Sequence, residues 1–213
     1  MEDSYRVPFA EAEAEFVEKR SRFIGHIWRV ESEAEARSRI EETRKRHYDA
    51  THNCWCYVIR DGNILRYSDD GEPQGTAGQP MLNVFVRGEI TNVCCVVTRY
   101  FGGILLGAGG LTRAYGGTAK LALDAAGVSR MRLWAELAVP CTYSLYERMR
   151  LLVEQSGGVI TDTDFGADVL LTVTFPTEEV AAFREKVTEL SAGKLEPMVM
   201  EERFQSGPRE TAR

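Results

Sequence analysis

Asn92 to Thr98 is a continuous apolar run, with Val93, Cys94, Cys95, Val96 and Val97 in succession, and it restricts the fold more than any other stretch. A strand with one face in water alternates polar and apolar residues, so an unbroken run belongs to a strand covered on both faces. Such a strand needs helices on each side of its sheet, which makes the first half of the chain an α/β layer structure. Two glycine-dense segments bracket the run. Ser68-Asp-Asp-Gly-Glu-Pro-Gln-Gly-Thr-Ala-Gly78 precedes it, and Arg99-Tyr-Phe-Gly-Gly-Ile-Leu-Leu-Gly-Ala-Gly-Gly-Leu-Thr-Arg113 follows. Glycine is costly to order, so a loop collecting Gly102, Gly103, Gly107, Gly109 and Gly110 needs positive backbone angles or close approach to another chain segment or ligand.

Around this strand the hydrophobic period changes at clear punctuation. Phe16–Glu18 and Arg22–Val30 read as strands, and Ser32-Glu-Ala-Glu35 opens a helix to about His47 with capping-box spacing. Cys54–Arg60 and Asn63–Tyr67 flank the turn dipeptide Asp61-Gly62. Pro80 suits the first turn of a short helix through Arg87, and Leu111 to Ala126 repeats at helical spacing until Gly127. Beyond Arg130 the pattern is strand 134–141, helix from Ser144, strands 159–164 and 168–175, helix from Thr177, and a last strand 195–203. That order, β-α-β-β-α-β, is the ferredoxin-like split arrangement. The expected class is therefore α+β with two domains, residues 1–130 and 131–204, followed by a flexible tail over 205–213.

Bulk properties narrow the function classes. At 213 residues, with 44% hydrophobic and 27% charged residues, the chain has enough apolar material for both cores. No apolar run approaches the length of a membrane span and the N-terminus is acidic, so a cytoplasmic protein without membrane contact is expected. The net charge of −6 argues against a general nucleic-acid binder. It resides mostly beyond residue 130, while the basic run Arg37, Arg39, Arg44, Lys45 and Arg46 falls on one helix and reads as a solvated face. Cys54, Cys56, Cys94, Cys95 and Cys141 lie mostly in buried strands without a second ligand pair at zinc spacing, so neither metal nor cofactor is expected.

Candidate binding residues cluster in the two loops: His52, Asp69, Asp70, Gly71, Glu72, Gly75, Thr76, Arg99, Gly102, Gly103, Gly107, Gly109, Gly110 and Arg113. Gly107 to Gly110 before a helix beginning at Leu111 is the arrangement that cradles a phosphate, with a weak likeness to the glycine loop of GHMP kinases. Asp69, Asp70 and Glu72 are three carboxylates in four residues, fit for magnesium or for capping a turn. No nucleophile stands with a matched base, so no catalytic residue is assigned. The loops are expected to meet across the end of the apolar strand as one concave site flanked by Asp69, Asp70, Arg99 and Arg113.

Together, Lys19-Arg-Ser-Arg-Phe-Ile24, His52-Asn-Cys54, Ser68 to Gly78 and Arg99 to Tyr115 closely resemble the motifs of the IMPACT/YigZ family. The resemblance spans nearly the whole chain. It implies an N-terminal IMPACT-type domain sharing the α/β fold of a small-subunit ribosomal protein domain, elongation factor G and GHMP kinases. It also implies a C-terminal domain similar to the end domain of elongation factor G. Eukaryotic members restrain a translation-control kinase by competing for its activator, so the resemblance implies a non-enzymatic, translation-linked regulator with a protein or structured RNA partner. The alternative is a nucleotide-binding enzyme or sensor, with a phosphate-containing ligand on the Gly107–Gly110 loop.

Overall fold

The computed structural model describes residues 4–210, which form two compact units: Ser4–Arg130 together with the segment from Ser206 onward, and Met131–Gln205. The N-terminal unit runs β1 (Ser4–Pro8), β2 (Ala12–Glu18), β3 (Ser21–Arg29), α1 (Glu33–Arg46), β4 (His52–Ile59), β5 (Ile64–Ser68), α2 (Gly78–Arg87), β6 (Val93–Tyr100) and α3 (Gly107–Ala126). Its sheet has the order β2-β3-β6-β4-β5, with neighbours antiparallel throughout. The apolar run is thus the central strand. Val93, Cys95 and Val97 pack with Met81, Phe85, Tyr115 and Ala119 of α2 and α3. Cys94 and Val96 face the opposite way, against Ala36 and Ile40 of α1 with Trp28 and Tyr57. Every side chain of β6 from Val93 to Arg99 is buried, which is why no polar alternation survives in its sequence.

Local chemistry fixes the helices to this sheet. Ser32 caps α1 by accepting from the Glu35 amide at 3.2 Å, and the Glu35 carboxylate accepts from the Glu31 amide at 2.8 Å. Three cations of the basic run of α1 enter ion pairs: Arg37 with Glu33, Arg39 with Glu11 and Glu42, and Arg44 with Glu41 and Asp70. Gly25 of β3 lies under α3, where a Cβ would come within 2.9 Å of Thr118, so only glycine lets helix and strand approach this closely.

The second unit follows the order β7 (Val128–Cys141), α4 (Tyr146–Gln155), β8 (Val159–Phe165), β9 (Val169–Pro176), α5 (Val180–Ser191) and β10 (Met198–Arg209), with β7 and β10 beginning or ending in the first unit. Strand neighbours run β8-β9-β7-β10. Leu137, Val139 and Cys141 of β7 share one face and join Leu171, Val173 and Phe175 of β9 in one core, completed by Met149, Val153, Phe183 and Val187 from the helices. Phe175 and Phe183 stack with centroids 4.3 Å apart.

Several boundaries differ from expectation. Ser144 does not cap α4, whose first turn follows Leu145 without a side-chain cap, and Thr177 opens a 3₁₀ turn and donates to the Leu133 carbonyl instead. Strand β1 carries no clear alternation and is absent from the sequence expectation. The segment 205–213, expected to be a flexible tail, is ordered as strand through Arg209. The Glu210 amide donates to the Val128 carbonyl at 2.7 Å, and Ser129 Oγ donates to the Gly207 carbonyl at 2.7 Å. Backbone pairing and arginine contacts hold this segment, so hydrophobic periodicity could not reveal it; residues 211–213 lie outside the described residues.

Two histidines adjoin in the N-terminal unit, His26 of β3 and His47 at the C-cap of α1. His26 is buried with its Nδ1 3.2 Å from Glu13, its ring 5.2 Å from that of His47. Burial pushes the His26 imidazole down from 6.5 to about 4, against the opposing pull of Glu13, and burial lowers His47 as well. A depressed histidine binds its proton more readily when unfolded, so its stabilisation is complete above pH 6.5 and is lost as pH falls toward 4. Urea unfolding of the full chain should lose up to about 1.4 kcal/mol per pH unit through this window from His26. The His26→Leu variant should show a shallower pH dependence, and an unchanged slope would contradict the assignment.

The C-terminal core draws only on residues between Ala135 and Leu195. A fragment spanning residues 131–205 should therefore unfold cooperatively on heating, and Phe183→Ala in the intact chain should cost about 3–5 kcal/mol. Circular dichroism checks both.

Candidate functional site

The loop between β5 and α2 is held from inside by its own carboxylates. Asp69 accepts from the amides of Ala77 at 3.0 Å and Gly78 at 2.8 Å through one oxygen, and from Gly75 at 2.8 Å through the other. It supplies from a distance the cap that α2 lacks locally, since Ala77 has no side-chain acceptor. Asp70 has a positive φ of 44°, receives the Asn53 amide at 2.7 Å and pairs with Arg44 at 2.8 Å. Thr76 donates its hydroxyl to the Pro73 carbonyl at 2.6 Å. Gly71 and Gly75 have φ of +87° and +76°, and a Cβ on Gly71 would stand in ordinary contact with the His52 ring at 3.4 Å.

Glu72 joins this loop to the other one. Its Oε1 accepts from Arg99 at 2.6 Å and from the Tyr115 hydroxyl at 2.8 Å, with His52 Nε2 at 3.9 Å. His52 Nδ1 lies 2.8 Å from the Asp70 carbonyl, which can only accept, so that nitrogen carries the proton. Glu72 and Arg99 are both buried, and the Arg99 guanidinium also sits 5.5 Å from the Phe23 ring centroid and 5.3 Å from that of Phe101. Burial, reinforced by Cys54 and Glu72, pushes the Tyr115 phenol far above its ordinary range. Burial likewise raises the Cys54 thiol, whose Sγ is 2.9 Å from the Asp69 carbonyl. Both groups stay protonated and serve as donors.

The segment after β6 is tied to the β2–β3 turn. Gly102 donates to Ser21 Oγ at 3.2 Å, and a Cβ on it would fall 2.0 Å from the Arg20 carbonyl carbon. Lys19 and Arg20 both have positive φ, 45° and 67°. Gly103 and Gly107 also have positive φ, and Gly110 has no room for a Cβ, which would meet Leu106 at 2.9 Å. Helix α3 begins at Gly107 rather than Leu111, so Gly109 and Gly110 form its first turn instead of a loop ahead of it. Arg113 is exposed on that helix, with its guanidinium 3.6 Å from where a Cβ of Gly109 would stand.

Glu72, Arg99, His52, Asp69 and Asp70 thus belong to one connected network, whereas Arg113 takes no part in it. Tyr115 and Arg44 are not among the site residues that the sequence singles out. Tyr115 reads as one position of an apolar stripe, and the signal available is that a buried phenol requires a partner. Among the described residues no group of three or more His, Cys, Asp or Glu is arranged to hold a metal ion.

The Impact N-terminal domain family matches residues 19–123, and a domain of unknown function (DUF1949) matches residues 139–194. IMPACT family member YigZ of Escherichia coli (strain K12) is 37% identical over 203 residues, covering 94% of this chain and 100% of the relative. This chain belongs to the IMPACT family. IMPACT family member YvyE of Bacillus subtilis (strain 168) is 40% identical over 183 residues, 85% of this chain and 84% of that one. A crystal structure of a hypothetical protein aligns with a TM-score of 0.60 at 36% identity, covering 94% of this chain and 99% of the other. The Impact N-terminal match encloses the whole Glu72 network, from Ser21 to Tyr115.

Because an unpartnered buried charge is expensive, removing either end of the Glu72–Arg99 pair from this IMPACT-family protein should cost more than removing their hydroxyl neighbour. Glu72→Ala should lose about 3–5 kcal/mol and Tyr115→Phe about 1 kcal/mol. Chemical denaturation gives the order, and a Glu72→Ala variant as stable as the parent would show that the pair is not held as described.

Proposed function

We propose that this protein is a non-enzymatic, translation-linked regulator that docks a protein component of translation through the surface of loops 68–78 and 99–113. The observation that carries this reading is a division of labour within the loops. Their carboxylates are engaged inward, with backbone amides and arginines, while Phe101, Ile104 and Leu105 are left exposed, Leu105 at 82%. A rigid turn presenting a few adjacent apolar side chains is the chemistry of a protein contact. Carboxylates already committed to amides and guanidinium are poorly placed to take up a metal or proton transfer.

The translation link rests on family membership, and the fold assignments implied by the resemblance belong with it. On this reading the first unit is an IMPACT-type domain of the ribosomal-protein and elongation-factor kind, the second is ferredoxin-like, and the protein works in the cytoplasm. Among the described residues no helix is long and apolar enough to cross a membrane. The nucleotide alternative is not supported. Close packing at Gly102 and Gly110 and positive φ at Gly103 and Gly107 account for four of the five glycines without a ligand.

Affinity capture from a bacterial lysate, with and without ribonuclease, tests the reading with the intact chain and its Leu105→Glu variant. A translation protein retained after nuclease by the parent and lost by the variant is the expected result. The same proteins captured equally by both would remove the loop tip from the contact.

A further inference from the structure

A large concavity of the N-terminal unit runs along the outer surface of α2 and α3, and the chemistry of its lining is distinct from that of the loop tip. It is an open groove of about 1590 Å³, larger than the roughly 300–1,000 Å³ typical of small-molecule pockets. Arg6, Arg87, Arg113, Lys120, Arg130 and Arg209 line it, against two carboxylates, Asp124 and Glu210. Glu210 is shared between Arg6 at 2.9 Å and Arg130 at 3.4 Å, and Asp124 pairs with Lys120. Among the described residues Arg87 and Arg113 have no carboxylate partner, and both are exposed. Arg209 donates to the Asp124 and Ala125 carbonyls, so in a chain of net charge −6 Arg87 and Arg113 are the two cations of the groove that no internal contact requires.

The floor gives a second, independent sign. Gly116 and Gly117 are consecutive glycines in the interior of α3, and both line the groove. A Cβ on Gly117 would meet nothing within 4 Å, and one on Gly116 would make only ordinary contact with Pro80 at 3.6 Å. Neither φ is positive. Glycine inside a helix is destabilising relative to alanine, and nothing within the unit requires its absence of side chain at Gly117. The bare helix backbone instead leaves room for an object pressed close to α3.

We propose that this groove binds the phosphate backbone of double-helical RNA. Five of the six cations are arginine, whose planar fork suits phosphate oxygens. The lining contains no aromatic side chain, which removes both the stacking platform of single-strand binders and the usual anchor of a protein interface. Gln79 and Asn83, linked at 3.0 Å, supply neutral amides at the same groove, and such groups read ribose hydroxyls and base edges in a shallow minor groove. The groove adjoins the loop surface, sharing Gly75 and Arg113 with it, but Leu105 at the apolar tip lines no part of it, so the Leu105→Glu variant tests the tip alone.

Fluorescence anisotropy on the full chain tests the proposal with a labelled RNA hairpin, the DNA hairpin of the same sequence, oligouridylate and polyglutamate. The RNA hairpin should bind, with log affinity falling linearly with log salt. Arg87→Glu combined with Arg113→Glu should weaken binding by at least about tenfold and flatten the salt slope by about two. Gly117→Leu should weaken binding while leaving the melting temperature equal or higher, a combination that a purely structural glycine would not give. Absence of hairpin binding, indifference to both sets of substitutions, or preference for DNA, oligouridylate or polyglutamate over the RNA hairpin would each overturn it.

Discussion

Glu72 carries its charge inside the N-terminal unit, and Arg99 answers it from 2.6 Å. A buried ion pair gains little net stability over an apolar substitute of the same shape, but breaking it leaves a charge with nowhere to go. The pair therefore acts chiefly as a constraint on position. Glu72 belongs to the loop entering α2, Arg99 to the C-terminal end of β6, and Tyr115, the third partner, to α3. Satisfying one carboxylate fixes three elements at once. From that point the loop follows: Asp69 caps α2, Asp70 holds Asn53 and Arg44, and the His52 ring is aimed by the Asp70 carbonyl.

The central position of β6 is what brings these groups together. Packed by α2 and α3 on one face and α1 on the other, the strand delivers Arg99 into the interior at the same end of the sheet where His52 of β4 and Ser21 of β3 lie. The glycines around it have separate reasons: Gly102 for close approach to Arg20, Gly25 for the approach of α3, and Gly71 for its backbone angle. Within α3, Gly109, Gly116 and Gly117 are less constrained: a Cβ would meet nothing at Gly117 and only ordinary contacts at Gly109 and Gly116.

Charge is divided by location rather than spread evenly. In α1, which carries the densest basic run in the sequence, Arg37, Arg39 and Arg44 are taken up by neighbouring glutamates and Asp70. Cations contributed singly by distant segments, Arg6, Arg87, Arg113 and Arg209 among them, gather at one groove instead. Net charge and linear runs therefore give a poor account of where a polyanion would find a surface.

Several features were decided by the sequence alone. The unbroken apolar run specified a central strand, because burial on both faces leaves no polar positions. The period changes after Arg130 specified the β-α-β-β-α-β order, and the glycine-rich motifs carried the family. Short-range patterns were enough for these, since periodicity reports on burial and turn chemistry one element at a time. The roles of individual polar residues were decided only by tertiary structure. Asp69, Asp70 and Glu72 form the same string whether they hold a metal, dock a partner or brace a loop, and it was the amides of Gly75 to Gly78, Arg44 and Arg99 that chose among these. The strand beyond Gln205 and the basic groove escaped for a related reason: both are assembled by pairings between residues more than seventy positions apart, which leave no period in the chain.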